Sequence, residues 1–121
     1  GRIDYKDLPL YICVGDIFAM PSRSRLMGLE VEGLGIVYLE ASACGLPVLA
    51  GNSGGAPDAV VQNETGLVVD GTNNKEIADA AIELLTKVDL SKKMGAAGRQ
   101  WVVENWRWEI WSGSFEDLLN K

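Results

Sequence analysis

Short, almost wholly apolar runs that alternate with longer stretches of helical spacing are the feature that most constrains the fold. The runs are residues 16–20 (DIFAM), 47–50 (PVLA) and the apolar centre of 63–71 (NETGLVVDG), which is flanked by turn residues. Runs this short are typical of strands buried on both faces. Strands that alternate with helices predict a parallel sheet with helices on both of its faces.

Capping residues and helical spacing predict the helices between and after these strands. Asp7 opens a short helix over 7–13, and Gly45 ends a helix over 35–44 whose apolar stripe is Val37, Ala41 and Cys44. Further helices are predicted around Pro57, from Asn74 onward, over 91–105 and over 108–119. Because three strands are few for a complete doubly wound domain, we expect the back half of a Rossmann-like domain, and therefore a fragment.

Composition excludes several classes of function. The 121 residues suit one domain, and the 47% hydrophobic content is broken by charges before any run reaches the roughly 20 residues of a membrane span. A net charge of -6 argues against a nucleic-acid partner. The absence of histidine removes imidazole catalysis, and the two cysteines, Cys13 and Cys44, are too few for a cysteine metal site. We predict that both are buried, reduced thiols.

The segment that leads into the predicted helix at 35–44 carries the features of a ligand site. The loop 21–32 (PSRSRLMGLEVE) is longer than most strand-to-helix connections, and long loops there tend to be functional. Gly33 and Gly35 allow a sharp turn and a close approach to a ligand. The N–H groups of Leu34, Gly35 and Ile36 are then the unpaired donors of a helix start, which suit a phosphate.

Glu32 and Glu40 flank this row of donors, and Glu40 lies one helical turn beyond Ile36 on the same face. A carboxylate repels a phosphate, so a ligand that serves the whole set presents hydroxyls to the carboxylates and oxyanions to the amides. Sugar nucleotides do both. The spacing alone leaves a second interpretation open, because glutamates in the first turns of a helix are commonly solvated charges.

The run EGLGIVYLEASACGLPVLAG closely resembles the E-x7-E signature of the retaining GT-B glycosyltransferases of family 4, with Glu32 and Glu40 as its glutamates. The segments DLPLYICVGDIFAMPSRSR, SGGAPDAV, ETGLVVDG and MGAAGRQWVVENWRWE are similar to the same family, so the resemblance covers essentially the whole chain. The loop RSRLMGLEVEGLG is most like the GDP-mannose-dependent phosphatidylinositol-mannoside mannosyltransferases of actinobacteria. The implied fold class is α/β: the C-terminal part of a Rossmann-like parallel-sheet domain of a GT-B glycosyltransferase, ending in a helical segment.

The resemblance implies that a hexose, here mannose from GDP-mannose, is transferred with retention to a glycolipid or saccharide acceptor, without a cofactor or an obligatory metal. Glu32 would be the catalytic residue through contacts with hydroxyls of the donor sugar. The amides from Gly33 to Ile36 would hold the distal phosphate and the sugar, and Glu40 would bind the ribose hydroxyls. The base would lie against the backbone near Ile3. No glutamate would act as a covalent nucleophile. The resemblance implies instead a front-face mechanism, in which the leaving diphosphate assists deprotonation of the acceptor.

The resemblance also implies that residues 1–121 are a partial nucleotide-sugar domain. The acceptor domain, the first part of this domain and the cationic phosphate-binding residues would lie upstream. We therefore expect the 121-residue piece alone to be inactive. The predicted location is the cytoplasm, and a lipid acceptor would bring the intact enzyme to the inner face of the plasma membrane as a peripheral protein.

Two other classes of function remain as alternatives: a sugar-nucleotide epimerase of similar two-lobe fold, and a non-catalytic module that binds nucleotide sugars. Three further features allow two interpretations each. The tryptophans at 101, 106, 108 and 111 either fill a core or dock against another lobe, or stack on sugars. Arg23 and Arg25 either have a partner, which is an anionic acceptor or Glu30, or are solvated charges. Residues 52–55 either border the acceptor cleft or form only a tight turn.

Overall fold

The computed structural model describes residues 2–120 and is built around a parallel sheet of three strands. The strands are β1 (Phe18–Met20), β2 (Val48–Gly51) and β3 (Gly66–Val69), in the order β1-β2-β3. The register pairs Phe18 with Val48, and Val48 with Gly66. Because β2 has a neighbour on each side and a layer on each face, every one of its residues is buried. The predicted strands and their parallel arrangement are confirmed.

Helices follow the strands as the spacing predicts. They are α1 (Leu8–Ile12), α2 (Ile36–Ala43), α3 (Asn74–Thr86), α4 (Val88–Asn105) and α5 (Trp108–Leu119), with 3-10 turns at Tyr5–Asp7, Leu26–Gly28 and Ala56–Ala59. α4 begins earlier than the predicted residue 91, because Lys87 alone joins it to α3: the Lys87 N–H closes α3 on the Glu83 carbonyl, and the next residue is already helical. The Asn73 side chain caps α3 by accepting from the Glu76 N–H at 3.2 Å.

The sheet separates two apolar clusters, because successive side chains of a strand point to opposite faces. Val48 and Ala50 of β2 pack with Tyr38 and Ala41 of α2 on one face. Leu49, the residue between them, packs on the other face with residues of β3, α3 and α4: Leu67, Val69, Ala80, Leu84 and Met94. Helices on both faces, as predicted, are therefore present.

Two sequence predictions are wrong. β1 is not buried on both faces, since Ala19 is exposed where β1 forms an edge of the sheet. The cysteines are not buried either: Cys13 is exposed and Cys44 is partly exposed. Both stand at helix ends, Cys13 after α1 and Cys44 after α2, where the chain leaves the core. They are free thiols, as predicted. No helix within residues 2–120 is both long enough and apolar enough to cross a bilayer.

Candidate functional site

The first turn of α2 carries main-chain donors that lack partners. Its N-cap residue, Gly35, lies in the left-handed region at φ 73° and ψ 62°, and no side chain caps the helix. A Cβ at this position would stand 2.4 Å from the ring of Tyr38, so only glycine fits. Within residues 2–120, the N–H groups of Leu34, Gly35 and Ile36 have no hydrogen-bond acceptor. Together with the positive end of the helix dipole, they suit an oxyanion.

Glu40 lies in the middle of α2, and the helix alone determines its position relative to Ile36. Glu40 is half-buried and lines a groove of about 430 Å³ between α1 and α2, beside Tyr5, Leu8 and Pro9. Ile3, the predicted neighbour of the base, precedes the 3-10 turn that begins at Tyr5. Ile3 is not among the residues that line the groove beside Glu40, so its contact with the base stays a prediction.

Glu32 lies in an irregular segment between the loop and α2, and it too is half-buried. Its main-chain N–H donates to Ser53 Oγ at 3.2 Å, and its carbonyl accepts from the Gly55 N–H at 3.2 Å. It lines an open groove of about 520 Å³ with Leu34, Gly35 and other residues at the start of α2. The predicted amide donors and Glu32 thus share one groove.

The structure does not place the two glutamates in a single cavity. Glu32 lines the groove at the start of α2, whereas Glu40 lines the groove toward α1 and a second one of about 590 Å³ toward the tryptophans. Leu34 and Ile36 border both the Glu32 groove and the second Glu40 groove, so these two adjoin. Within residues 2–120 neither glutamate is in an ion pair. Both carboxylates are therefore available to a ligand that spans this boundary.

Tyr38 holds the helix that carries the site, and this role was not predicted from the sequence. It is fully buried, its hydroxyl donates to the Met20 carbonyl at 2.8 Å, and it lies 3.1 Å from Ser22 Oγ. These contacts fasten α2 to the carboxyl end of β1. Burial raises the pKa of Tyr38 above its ordinary value, the Ser22 hydrogen bond opposes that rise, and the nearby Glu32 charge adds to it. The only sequence signal was a phenol next to apolar residues in the first turn of the helix.

The loop 21–32 is closed on itself near its tip. Arg25 and Glu30 form an antiparallel bridge through their main chains, and their side chains approach to 3.6 Å while staying exposed. Of the alternatives that the sequence left open for Arg25, the structure shows the pairing with Glu30. Between them, Leu26 and Met27 have φ values of 48° and 53°, in the region that side chains other than glycine rarely adopt.

The tryptophans form a cluster beside α2. Trp106 packs against Trp101 and Trp111, with ring centroids 5.7 Å and 5.4 Å apart, whereas Trp108 is 82% exposed. Leu34, Ile36 and Glu40 face Trp106, Trp108 and Trp111 across the second Glu40 groove. Mutual packing thus accounts for three of the rings, and sugar stacking by any of them stays a prediction.

No cluster of three or more His, Cys, Asp or Glu side chains that could hold a metal ion occurs among residues 2–120. Independence from a metal stays a prediction. The site consists of carboxylates, amides and apolar walls, with Arg99 as a basic residue in the groove beside Glu40.

Residues 1–101 match the family model described as glycosyl transferases group 1. This match covers most of the chain and includes both glutamates and the first turn of α2. The chain belongs to the group 1 glycosyltransferase family.

Two relatives cover almost the whole chain. A GDP-mannose-dependent alpha-(1-6)-phosphatidylinositol monomannoside mannosyltransferase of Mycobacterium tuberculosis is 53% identical over 119 residues, which are 98% of this chain and 31% of the relative. A GDP-mannose-dependent monoacylated alpha-(1-6)-phosphatidylinositol monomannoside mannosyltransferase of Corynebacterium glutamicum is 50% identical, with the same shares of both chains. The chain thus spans about a third of the length of these relatives.

A solved structure with the same fold is that of sucrose-phosphate synthase from Thermosynechococcus elongatus. It matches with a TM-score of 0.87 and 30% identity, over 99% of this chain and 28% of that chain. The predicted fold class, a Rossmann-like parallel sheet of the GT-B kind that ends in a helical segment, is confirmed by this likeness and by the observed sheet.

Proposed function

We propose that this chain is the donor-binding part of a retaining mannosyltransferase that moves mannose from GDP-mannose to a glycolipid acceptor of the phosphatidylinositol-mannoside class. One observation carries the proposal: the unpaired amides at the start of α2 lie in sequence between two half-buried glutamates, neither of which forms an ion pair within residues 2–120. The choice of GDP-mannose and of a lipid-linked acceptor is supported by 53% identity to a relative whose name specifies both.

Glu40 is the group we assign to the ribose. A carboxylate can accept hydrogen bonds from two neighbouring hydroxyls, and such bonds to a charged acceptor are stronger than neutral ones. The groove toward α1, which Tyr5, Leu8 and Pro9 line, would take the base, and the backbone near Ile3 would contact it. Family membership and the names of the relatives favour this role in a transferase over an epimerase.

The start of α2 is the part we assign to the distal phosphate and the sugar. Negative charge grows on the diphosphate as the glycosidic bond breaks, and preorganised donors at a helix start stabilise it without reorganisation. Glu32 would hold hydroxyls of the donor sugar and so fix the angle at which the acceptor approaches. None of these roles requires a metal, so we expect EDTA to leave the activity of the full-length enzyme unchanged.

The acceptor and the remaining cationic groups belong, on this proposal, to upstream sequence that is not in this chain. Residues 1–121 would then be a partial carboxyl-terminal nucleotide-sugar domain, inactive by itself. A lipid-linked acceptor would hold the intact, otherwise cytoplasmic enzyme at the inner face of the plasma membrane as a peripheral protein.

The test is calorimetry on the full-length protein, with Glu40→Ala compared with Glu83→Ala. Glu83 is a matched control, because it is a partly exposed helical glutamate on α3, on the opposite side of the sheet. Loss of hydrogen bonds to a charged acceptor costs about 2–3 kcal/mol, so we expect affinity for GDP and for GDP-mannose to fall about 100-fold in Glu40→Ala. The control should stay within twofold of wild type.

Three outcomes would contradict parts of the proposal. Unchanged affinities in Glu40→Ala would favour the non-catalytic module. Equal affinity for GDP-mannose, UDP-glucose and UDP-N-acetylglucosamine would remove the mannose assignment and leave the family in place. Conversion of the donor into an isomeric sugar nucleotide, without transfer to a phosphatidylinositol mannoside, would favour the epimerase.

A further inference from the structure

Glu32 depends on a turn from another part of the chain for its position. The segment around it has no regular structure, so no helix or strand ladder pairs its main-chain groups. The turn that follows β2 pairs both of them: Ser53 Oγ accepts from the Glu32 N–H, and the Gly55 N–H donates to the Glu32 carbonyl, each at 3.2 Å. Both polar groups of one residue are thus held by one turn.

The glycines of this turn let it lie directly against Glu32. A Cβ on Gly54 would stand 1.9 Å from the Glu32 carbonyl oxygen, and one on Gly55 would stand 2.4 Å from the Gly33 carbonyl oxygen. Gly54 also has a φ of 54°, in the region that favours glycine. This close approach accounts for the two glycines without requiring that the turn contact an acceptor.

Ser53 is the side chain at the centre of the contact. It is 1% exposed, and besides accepting from Glu32 its hydroxyl lies 3.1 Å from Ser24 Oγ in the preceding loop. A serine hydroxyl has one proton to donate and lone pairs to accept with. Acceptance from Glu32 and a hydrogen bond with Ser24, in which either hydroxyl can donate, satisfy it in this buried position. Ser53 thus joins Ser24, near the start of the loop 21–32, to Glu32 at its end.

The support behind Ser53 is the most buried part of the sheet. Ser53 follows β2, and its own N–H bonds the Gly51 carbonyl at 2.9 Å. The residue between them, Asn52, donates its N–H to the Val69 carbonyl of β3 at 2.8 Å. The main chain of Glu32 is therefore held through Ser53 by the central strand β2, rather than by the exposed loop.

We propose that Ser53 is a positioning residue for recognition of the donor sugar, acting through the main chain of Glu32. The inference rests on the proposed function, in which the Glu32 carboxylate binds hydroxyls of that sugar. Without the Ser53 hydroxyl the Glu32 N–H loses its partner, and the segment moves to recover one from water. The Glu32 carboxylate moves with it, whereas Glu40, which is held by its own helix, does not.

This mechanism predicts a selective defect. In the full-length protein, Ser53→Ala lowers kcat/KM and affinity for GDP-mannose about tenfold, because one hydrogen bond of a buried group is lost. Affinity for GDP stays within twofold of wild type, because GDP lacks the sugar that Glu32 contacts. A merely structural defect would weaken both ligands together.

The matched control is Ser42→Ala. Ser42 is also a fully buried serine, but its hydroxyl has no hydrogen-bond partner within residues 2–120, and it lies in α2 away from Glu32. We expect this variant to bind both ligands as wild type does. Thermal unfolding of the two variants, measured side by side, separates a loss of fold from a loss of positioning.

A double-mutant cycle tests whether Ser53 acts through Glu32. In a Glu32→Gln background, adding Ser53→Ala should lower kcat/KM for GDP-mannose by a further factor of less than two. The reason is that the Glu32 carboxylate, which Ser53 positions, is already lost. If Ser53→Ala does not fold, Ser24→Ala replaces it in the cycle: it removes the exposed partner of the Ser53 hydroxyl and should give the same selectivity at about threefold.

The outcomes separate the inference from the function beneath it. Wild-type binding of GDP-mannose by Glu32→Gln would overturn the role of Glu32 and with it the proposed sugar contact. If Glu32→Gln is impaired, three results would overturn the positioning role alone. Ser53→Ala could behave as wild type, it could lose affinity for GDP and for GDP-mannose equally, or its effect could add to that of Glu32→Gln in the cycle.

Discussion

The two glutamates of the site reach their places by different means. Glu40 is positioned by its own helix, since every hydrogen bond that defines its place is local to α2. Glu32 lies in irregular chain and is positioned by hydrogen bonds to Ser53 and Gly55, which lie more than twenty residues further on, just after β2. The position of Glu40 depends on residues adjacent to it in sequence, whereas that of Glu32 forms only after β2 has joined the sheet.

The two ways of positioning a glutamate differ in how strongly its position depends on the rest of the chain. A helical position tolerates changes elsewhere as long as the helix forms, so contacts with an invariant part of a ligand, such as ribose, suit it. A position that depends on a distant turn moves when the turn changes, so contacts that differ between donor sugars suit it. Variants can test each half of this comparison, beginning with the place where the two regions meet.

The largest effect is expected from Gly35→Ala, at the junction between the Glu32 segment and α2. The new alanine would have to adopt a left-handed backbone conformation. Its Cβ would also clash with the Tyr38 ring, which it would approach to 2.4 Å. The two penalties together come to about 3 kcal/mol. Amide hydrogen exchange of peptides that cover 34–45 in the full-length protein should therefore become about 100-fold faster.

Two neighbouring glycines provide controls for Gly35→Ala. Gly45 has a φ of 78° but open space around its Cβ position, so Gly45→Ala should cost only the backbone term, about 1 kcal/mol. Gly33 has neither a positive φ nor a close neighbour, and Gly33→Ala should leave exchange nearly unchanged. Equal exchange rates in the three variants would show that the start of α2 does not depend on Gly35.

A smaller effect concerns Cys44, at the end of the helix that carries Glu40. Burial raises the pKa of Cys44 to about 11, the neighbouring Cys13 thiol adds to the rise, Arg99 opposes it and Glu40 adds slightly. The neutral thiol therefore persists through pH 8, and alkylation should accelerate about tenfold per pH unit until pH approaches 11. At pH 8 the reaction should be about tenfold slower than that of glutathione, since higher intrinsic nucleophilicity offsets part of the lost thiolate.

Peptide-resolved mass spectrometry of iodoacetamide-treated full-length protein measures this rate for Cys44 separately from the exposed Cys13. A rate that levels off near pH 9 would mean that the end of α2 is more open than the structure has it. Glu40→Gln should increase the Cys44 rate only slightly, because the Glu40 charge is the last and smallest contribution to the shift.

The smallest effect is expected from Arg25→Ala, in the loop that precedes Glu32. The Arg25 and Glu30 side chains are 67% and 54% exposed, and an exposed ion pair contributes at most about 1 kcal/mol. The main-chain bridge between these residues does not need the guanidinium. Affinity for GDP-mannose should stay within twofold of wild type, and a larger loss would mean that Arg25 binds a ligand or that the loop, rather than Ser53, positions Glu32.

Much of the fold and part of the site could be predicted from sequence. Apolar runs and capping residues are local signals, so the strands, the helices and the unpaired amides after Gly33 and Gly35 followed from them. The burial of β1 was predicted wrongly, because an apolar run has the same appearance in a central strand and in an edge strand. The exposure of Cys13 and Cys44 was missed because composition does not show where a helix leaves the core.

By itself the sequence determined the order of elements, the parallel sheet, the family and the helical place of Glu40, because each depends on residues close together in the chain. Only the tertiary structure decided that Ser53 supports Glu32, that Tyr38 ties α2 to β1, and that the two glutamates line adjoining grooves rather than one cavity. The physical reason is that these contacts join segments far apart in sequence. Which segments meet depends on the packing of the whole sheet, and no local pattern records it.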